Sequence, residues 1–446
     1  MRPQDASSAA PAPLDEPLFS LDAESIRRFI HAPGVSAYRR VVLDNGLEVI
    51  AGRRAGLPVV TVGLSLHGGA ATASPPGADE LARQLGRPRV TSKIVPSDFG
   101  GHLRDGYDRD DLSYRIEGSS GNVGNMLELL ADRVPAVEVY VDAVALFDRE
   151  VVPFLQKAEL LPERRANRAF WQALYGGHPY GRTITAIELE KLGAGDANRW
   201  TARVAVPKNA VLAIVGEIEP DQVIALARDT FGRWSSGDAA QAPPPPPALP
   251  TARLPRPSFL VTHRPGATQG ELRLGCLLPP ARGSQARYAM LASLLGERVL
   301  DTVRRRLGAS YGVTARTTAL RGGATHLTLE SDIDSAHLGK ALEVVKRSLE
   351  ALEQGKFAPG EIDGARWLVA RGYGVRYLTN ASIVSSILDA RNEDRDLGAI
   401  DAFPTELAAV TADQLAADYA TCATAPVLSI VGDEPTIRAA LAEVWP

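Results

Sequence analysis

The sequence predicts an α+β protein made of two homologous sandwich halves, each a mostly antiparallel sheet with helices on one face. Three observations predict it. A proline run, Ala242-Pro243-Pro244-Pro245-Pro246-Pro247-Ala248-Leu249-Pro250, divides the 446 residues almost at the middle. Strand-to-helix units of similar pattern recur at corresponding places on either side of it. Short apolar strand runs are joined by hairpin-type turns.

Taken in order, Val41-Val42-Leu43-Asp44-Asn45-Gly46-Leu47-Glu48-Val49-Ile50 carries an Asn-Gly turn between apolar runs, a strong short-range hairpin signal. A strand follows in Val59–Leu66 and ends at Gly68-Gly69. Pro75-Pro76-Gly77 then opens a helix, with Asp79 and Glu80 suited to the positive end of its dipole. After Gly100-Gly101 comes a strand pair around Arg109-Asp110-Asp111-Leu112-Ser113-Tyr114. The first half closes with the apolar run Ala210–Gly216 and a helix to Phe231-Gly232-Arg233-Trp234.

The second half repeats this plan. Leu272-Arg273-Leu274-Gly275-Cys276-Leu277-Leu278 leads through Pro279-Pro280 to a helix ending near Leu295-Gly296, as Val62–Leu66 leads to a helix ending near Leu85-Gly86. Pro426-Val427-Leu428-Ser429-Ile430-Val431-Gly432-Asp433 and a helix to Val444-Trp445 match the close of the first half. The segments expected are an N-terminal extension over 1–37, a first domain over 38–237, a proline-rich linker over 238–257, which consecutive prolines hold extended, and a second domain over 258–446.

Composition bounds the function. With 45% hydrophobic residues, a formal charge of -4 and a pI near 6.1, the chain is globular and carries no electrostatic footprint for nucleic acid. Arg304-Arg305-Arg306 is too short a basic run to change that. No run of about eighteen apolar residues spans a membrane. The Ala-, Pro- and Ser-rich start lacks a signal-peptide core. Two localisations stay open: cytoplasm, or bacterial periplasm for an exported chain shorn of its leader. Cys276 and Cys422 allow one bridge or none, and buried thiols are the commoner case.

The stretch Gly77-Ala78-Asp79-Glu80-Leu81-Ala82-Arg83-Gln84-Leu85, in its setting of strand, Gly-rich loop, helix, Gly-Gly and strand pair, resembles the insulinase- and pitrilysin-type zinc peptidases. The likeness includes the mitochondrial processing peptidases and the complex III core proteins, and runs from about Val41 to Trp445. It implies a clamshell of the two halves. Active members of that family carry His-x-x-Glu-His here. Two histidines four apart share a helix face and bind zinc, the Glu activates water, and a distal Glu completes the ligands. In this chain the resemblance places Glu80 and Gln84 at the histidine positions and Arg83 at the base position. Counting back from Tyr180-Gly181-Arg182-Thr183 places Asp148 at the supporting acidic position and Leu155 at the distal ligand position, with Glu159 within reach of a one-turn slip. A guanidinium repels a metal cation and is no base. The histidines show no close helical pairing; His67 and His102 flank the region. Arg104-Asp105 stands where active relatives commonly have Asn-Ala. No metal is therefore expected in this chain.

The resemblance keeps another part of the site. Leu300-Asp301-Thr302-Val303-Arg304-Arg305-Arg306-Leu307-Gly308-Ala309-Ser310-Tyr311-Gly312-Val313 is similar to a stretch whose Arg and Tyr, seven apart, reach the zinc-bound substrate in active members. The match assigns those roles to Arg304 and Tyr311, both donors suited to a carbonyl that becomes an oxyanion. Arg305 and Arg306 stay open as substitutes. So does a plainer account, in which basic residues complement the end of a helix dipole and Gly308 stops the helix. The resemblance implies the non-zinc subunit of a heterodimeric metallopeptidase. Its partners would be a zinc-bearing His-x-x-Glu-His homologue and a peptide substrate. The alternatives are an inert scaffolding subunit like the core proteins and a peptide-binding chamber that uses its sheet edges.

Overall fold

The computed structural model describes residues 23–30, 32–88, 94–134, 137–235, 246–247, 258–279, 285–323 and 325–445. The proline-rich stretch lies outside these apart from 246–247. There, the His178 Nε2–H donates to the Pro247 carbonyl oxygen at 2.6 Å.

In the first half, β1 (Arg39–Val42) and β2 (Glu48–Arg53) form the expected hairpin. They are followed by β3 (Val59–His67), a two-residue ladder of β4 (Arg87–Pro88) with β7 (Val137–Glu138), the pair β5 (His102–Tyr107) and β6 (Asp111–Ser119), and β8 (Ala210–Gly216). The main sheet has the order β1-β2-β8-β3-β6-β5. In the second half, β9 (Ser258–His263), β10 (Gln269–Leu278), β11 (Val313–Ala319), β12 (Thr325–Asp334) and β13 (Val427–Gly432) form a sheet of order β11-β12-β10-β13-β9. Read from opposite ends, β2-β8-β3-β6-β5 and β9-β13-β10-β12-β11 are the same arrangement. Each contains one parallel pair, β2 with β8 and β9 with β13, in an otherwise antiparallel sheet. The fold is the α+β double sandwich that the sequence implies, and among the described residues β1 has no counterpart in the second sheet.

The outward face of the first sheet packs Val49, Val62, Leu64 and Ile116 against helices Val123–Arg133 and Pro220–Phe231. What covers the inward faces is not legible in either half alone. Helix Asn380–Asn392, from the second half, lies across β3 and β8, while helix Pro162–Tyr175, from the first, lies across β10 and β13. The clamshell is therefore shut, with helix where the two sheets face each other. Strand β8 is buried on both faces, Leu212 and Ile214 toward the first core and Val211, Ala213 and Val215 toward the second. Burial on both sides explains its unbroken apolar run.

The segment before the first strand also crosses over. Ile26, Ile30 and Val35 join the second core, and the Val35 and Ser36 N–H groups donate to the Asp401 carboxylate at 3.1 and 2.8 Å. Cys276 on β10 and Cys422 on helix Ala412–Thr424 are joined in a disulfide with Cα atoms 5.0 Å apart, so the pairing left open by the sequence is made.

Candidate functional site

The motif helix, Ala78–Leu85, starts where Gly77 adopts φ 89°, a left-handed conformation that suits glycine. A Cβ there would also press on Ile184 and Leu189. The helix buries Ala78, Leu81 and Ala82 and turns Glu80, Arg83 and Gln84 to one side.

Those three residues satisfy one another. Arg83 Nε and Nη2 donate to Glu80 Oε2 and Oε1 at 3.0 and 2.7 Å, and Gln84 Nε2 donates to Glu80 Oε1 at 3.0 Å. The guanidinium carbon also lies 5.4 Å from the Tyr107 ring centroid, a cation–π contact. Neighbouring Asp79 is buried, which pushes its carboxyl up to about 6. Glu80 and Asp79 face a cavity of about 380 Å³ bordered by Tyr107, Asp108, Arg109 and Arg182. Arg109 is not free to serve it. Its Nε donates to the Tyr180 carbonyl at 2.8 Å and its guanidinium lies 4.2 Å from the Trp171 ring centroid.

The distal positions do not complete a metal site. Leu155 packs against the first core. Glu159 accepts from the Ala186 N–H at the start of helix Ala186–Leu189 at 2.5 Å, and it pairs with Arg168 at 3.4 Å. Asp148 has its carboxyl raised by partial burial and by Glu190. His67 and His102 stand at opposite ends of the sheet register, opposite Asp111 and Glu117. Burial lowers His67 to about 4. Among the described residues, no group of three or more His, Cys, Asp or Glu side chains is placed to hold a metal ion. The residues at the motif positions do not fit zinc: a carboxylate already occupied by two donors, an amide and a guanidinium offer neither its ligands nor a base.

The second constellation is built differently. Helix Gln285–Leu300 runs past the expected end at Leu295 and widens into a π-helical turn, Asp301–Arg306, with the Leu307 N–H donating to the Thr302 carbonyl at 3.0 Å. Such widened turns recur at functional sites. Gly308, at φ 62°, ends it. The next residues are pinned: Asp334 N–H donates to the Ala309 carbonyl at 2.8 Å, and Ser310 Oγ lies 2.9 Å from Ser331 Oγ. Tyr311 projects from this pinned loop, 90% exposed.

Which arginine meets it is now decided by geometry. Arg304 has its guanidinium 5.4 Å from the Tyr311 ring centroid. Arg305 is held by Glu297 and Asp301 at 3.4 and 3.7 Å, and Arg306 by Asp301 at 2.6 Å. Among the described residues Arg304 has no carboxylate partner. The same acids that neutralise its neighbours leave it free.

Comparison with known proteins finds the same fold in solved peptidase structures. Residues 192–369 match the family model described as the Peptidase M16 inactive domain. An uncharacterized zinc protease of Mycobacterium leprae is 25% identical over 222 residues, covering 48% of this chain and 49% of that protein. The chain spans about half to two thirds of the length of the curated relatives it matches. Among solved structures, a protease from Helicobacter pylori superimposes with TM-score 0.79 at 17% identity, covering 89% of this chain and 99% of that one. A peptidase M16 inactive domain from Pseudomonas fluorescens does so with TM-score 0.78 at 18% identity, covering 89% and 98%. The fold is the double sandwich seen in those structures, and the motif positions hold Glu80, Arg83 and Gln84. The chain is thus similar, in its fold and over residues 192–369, to the insulinase- and pitrilysin-type (M16) peptidases, and its motif positions lack His-x-x-Glu-His.

Proposed function

We propose that this chain is the non-zinc subunit of a heterodimeric zinc metallopeptidase, and that it lends Arg304 and Tyr311 to peptide hydrolysis at a partner's metal. The observation that carries the reading is the contrast between the two constellations. Glu80, Arg83 and Gln84 are turned inward on each other, whereas Arg304 on the π-helical turn lies beside exposed Tyr311 on the pinned loop, with no carboxylate among the described residues paired to the guanidinium.

An exposed Tyr311 does not serve a chamber between the halves of its own chain, where helices Asn380–Asn392 and Pro162–Tyr175 already lie. A chamber for peptide would form between this chain and a second one. There the guanidinium and the phenol would donate to the scissile carbonyl oxygen as it gains charge, while the partner's His-x-x-Glu-His helix holds zinc and activates water. The degenerate positions Glu80, Arg83, Gln84 and Leu155 take no chemical part.

The test mixes the purified chain with a His-x-x-Glu-His homologue from the same genome and follows hydrolysis of a fluorogenic peptide library. The mixture should cleave faster than either protein alone. A rate equal to that of the homologue alone would instead point to an inert scaffold.

A further inference from the structure

The motif helix separates two spaces. Beyond Ala82 and Arg83 lies a second cavity, of about 180 Å³, enclosed by β3, β5, β6 and helix Ala194–Val204. Its walls are about equally polar and apolar, the apolar part including Leu66, Leu112 and Val204.

Four side chains with polar atoms line this cavity without a hydrogen bond or ion pair to the described residues: Asp105, which is exposed, Tyr114, Arg133 and the Trp200 indole, whose Nε1 is buried. Arg83 lines it too, but Glu80 already holds that guanidinium. Buried phenols usually find a hydrogen-bond partner, because desolvating the hydroxyl without one is costly. The Tyr114 phenol is pushed up to about 12, chiefly by burial and then by Asp105, with Arg133 opposing, so it stays a donor. Asp105 and Arg133 also border the surface depression beside Gly100 and Gly101, which places them where the cavity opens. They carry opposite charges and do not pair with each other.

This set of groups selects for ligand charge. A simple anion would meet Arg133 but lie beside an unpaired carboxylate, and a simple cation would meet Asp105 beside an unpaired guanidinium. A ligand carrying both charges on one carbon satisfies both. We propose that the cavity binds a free α-amino acid with an apolar side chain, its carboxylate on Arg133 and the Tyr114 hydroxyl, its ammonium on Asp105, and its side chain against Leu66, Leu112 and Val204. The site is independent of the trans-acting role of Arg304 and Tyr311.

Calorimetric titration of the full chain, with a parallel thermal-shift series, tests it using L-leucine, L-phenylalanine, N-acetyl-leucine, leucinamide and the dipeptides Leu-Gly and Gly-Leu. The free amino acids should bind and raise Tm. Blocking either charge, or moving it into a dipeptide, should weaken binding on the order of tenfold or more, the scale of one lost charge-assisted hydrogen bond. Arg133→Ala and Asp105→Asn should each weaken leucine binding by a similar factor, and Tyr114→Phe by less, with far-UV circular dichroism and unliganded Tm unchanged. Absence of both heat and Tm rise with either free amino acid overturns the proposal. So does equal affinity for a blocked or dipeptide form, or leucine binding that ignores both Arg133→Ala and Asp105→Asn.

Discussion

Val384 Cγ1 lies only 2.5 Å from where a Cβ on Gly63 would stand, so the helix of one half rests on the bare backbone of a strand in the other. The repeat uses the device twice. A Cβ on Gly275, two residues along from the matching register position in β10, would come within 2.8 Å of Phe170 Cζ on the reciprocal helix. Gly63→Ala should therefore destabilise the protein by about 1–3 kcal/mol through overpacking. Val384→Ala should also cost stability, since it hollows the same contact. The double variant should be more stable than the sum of the two losses implies, measured by urea unfolding. Strict additivity would mean that the helix does not press on β3 there.

Asp110 ties the halves together by polar contacts. The Tyr180 hydroxyl donates to its Oδ1 at 2.8 Å and the Arg321 N–H donates to its Oδ2 at 2.7 Å. Burial nevertheless pushes its carboxyl up to about 6, so the fold binds this proton more tightly than the unfolded chain does. Its contribution is fully present below the unfolded value near 4 and is lost as pH rises through 6, a change on the order of 3 kcal/mol. Asp79 is raised in the same direction. The Asp110→Asn variant should thus show a shallower fall in stability between pH 4 and 7 than the parent, with Asp79 and the other buried carboxyls raised in the same direction, Asp111 and Glu271 among them, supplying what remains. Identical slopes in chemical denaturation at a series of pH values would assign Asp110 no such role.

The Cys276–Cys422 bridge closes a loop of 146 residues between β10 and a helix of the second half. Chain-entropy reasoning gives about 3–5 kcal/mol for a loop of that order. Guanidinium melts of Cys276→Ala/Cys422→Ala against the oxidised parent should show a loss of that size. Both sulfurs are buried, so reduction of the native protein should be slow until it unfolds. Equal midpoints would show that the bridge contributes nothing.

Restoring the motif should not restore the metal. Glu80→His/Arg83→Glu/Gln84→His supplies two ligands and a base, but Leu155 remains apolar and Glu159 remains engaged with Ala186 and Arg168. The triple variant should lose added zinc on gel filtration, as read by atomic emission, and should cleave no peptide unaided. Retention of one zinc per chain would mean that Glu159 can swing free to complete the site.

Much of this architecture is local and therefore legible in sequence. The Asn45-Gly46 turn, the doubly buried β8 run and the recurrence of strand and helix at matched places are short-range patterns, and each appears in the structure. Loss of the zinc ligands is equally plain, since it depends only on residue identity at Glu80, Arg83 and Gln84. The rest depends on what meets across hundreds of residues. Nothing near Gly63 announces Val384, and nothing near Ser36 announces Asp401. The run Arg304-Arg305-Arg306 shows three equivalent cations, and only the positions of Glu297 and Asp301 around the π-turn single out Arg304. The second cavity was likewise out of reach, because Asp105, Tyr114 and Arg133 come from three separate elements. A signal existed only in Arg104-Asp105 standing where relatives commonly have Asn-Ala.

The most direct measurement is peptide hydrolysis by the zinc-bearing homologue mixed with the parent chain, with Arg304→Ala, with Tyr311→Phe, or with Arg305→Ala as a control for general charge loss. The account predicts acceleration by the parent and by Arg305→Ala. It predicts a fall on the order of ten- to a thousandfold with Arg304→Ala or Tyr311→Phe, in kcat more than in KM, while the two chains still associate. Equal rates for all four mixtures, or hydrolysis by the parent chain on its own, would contradict it.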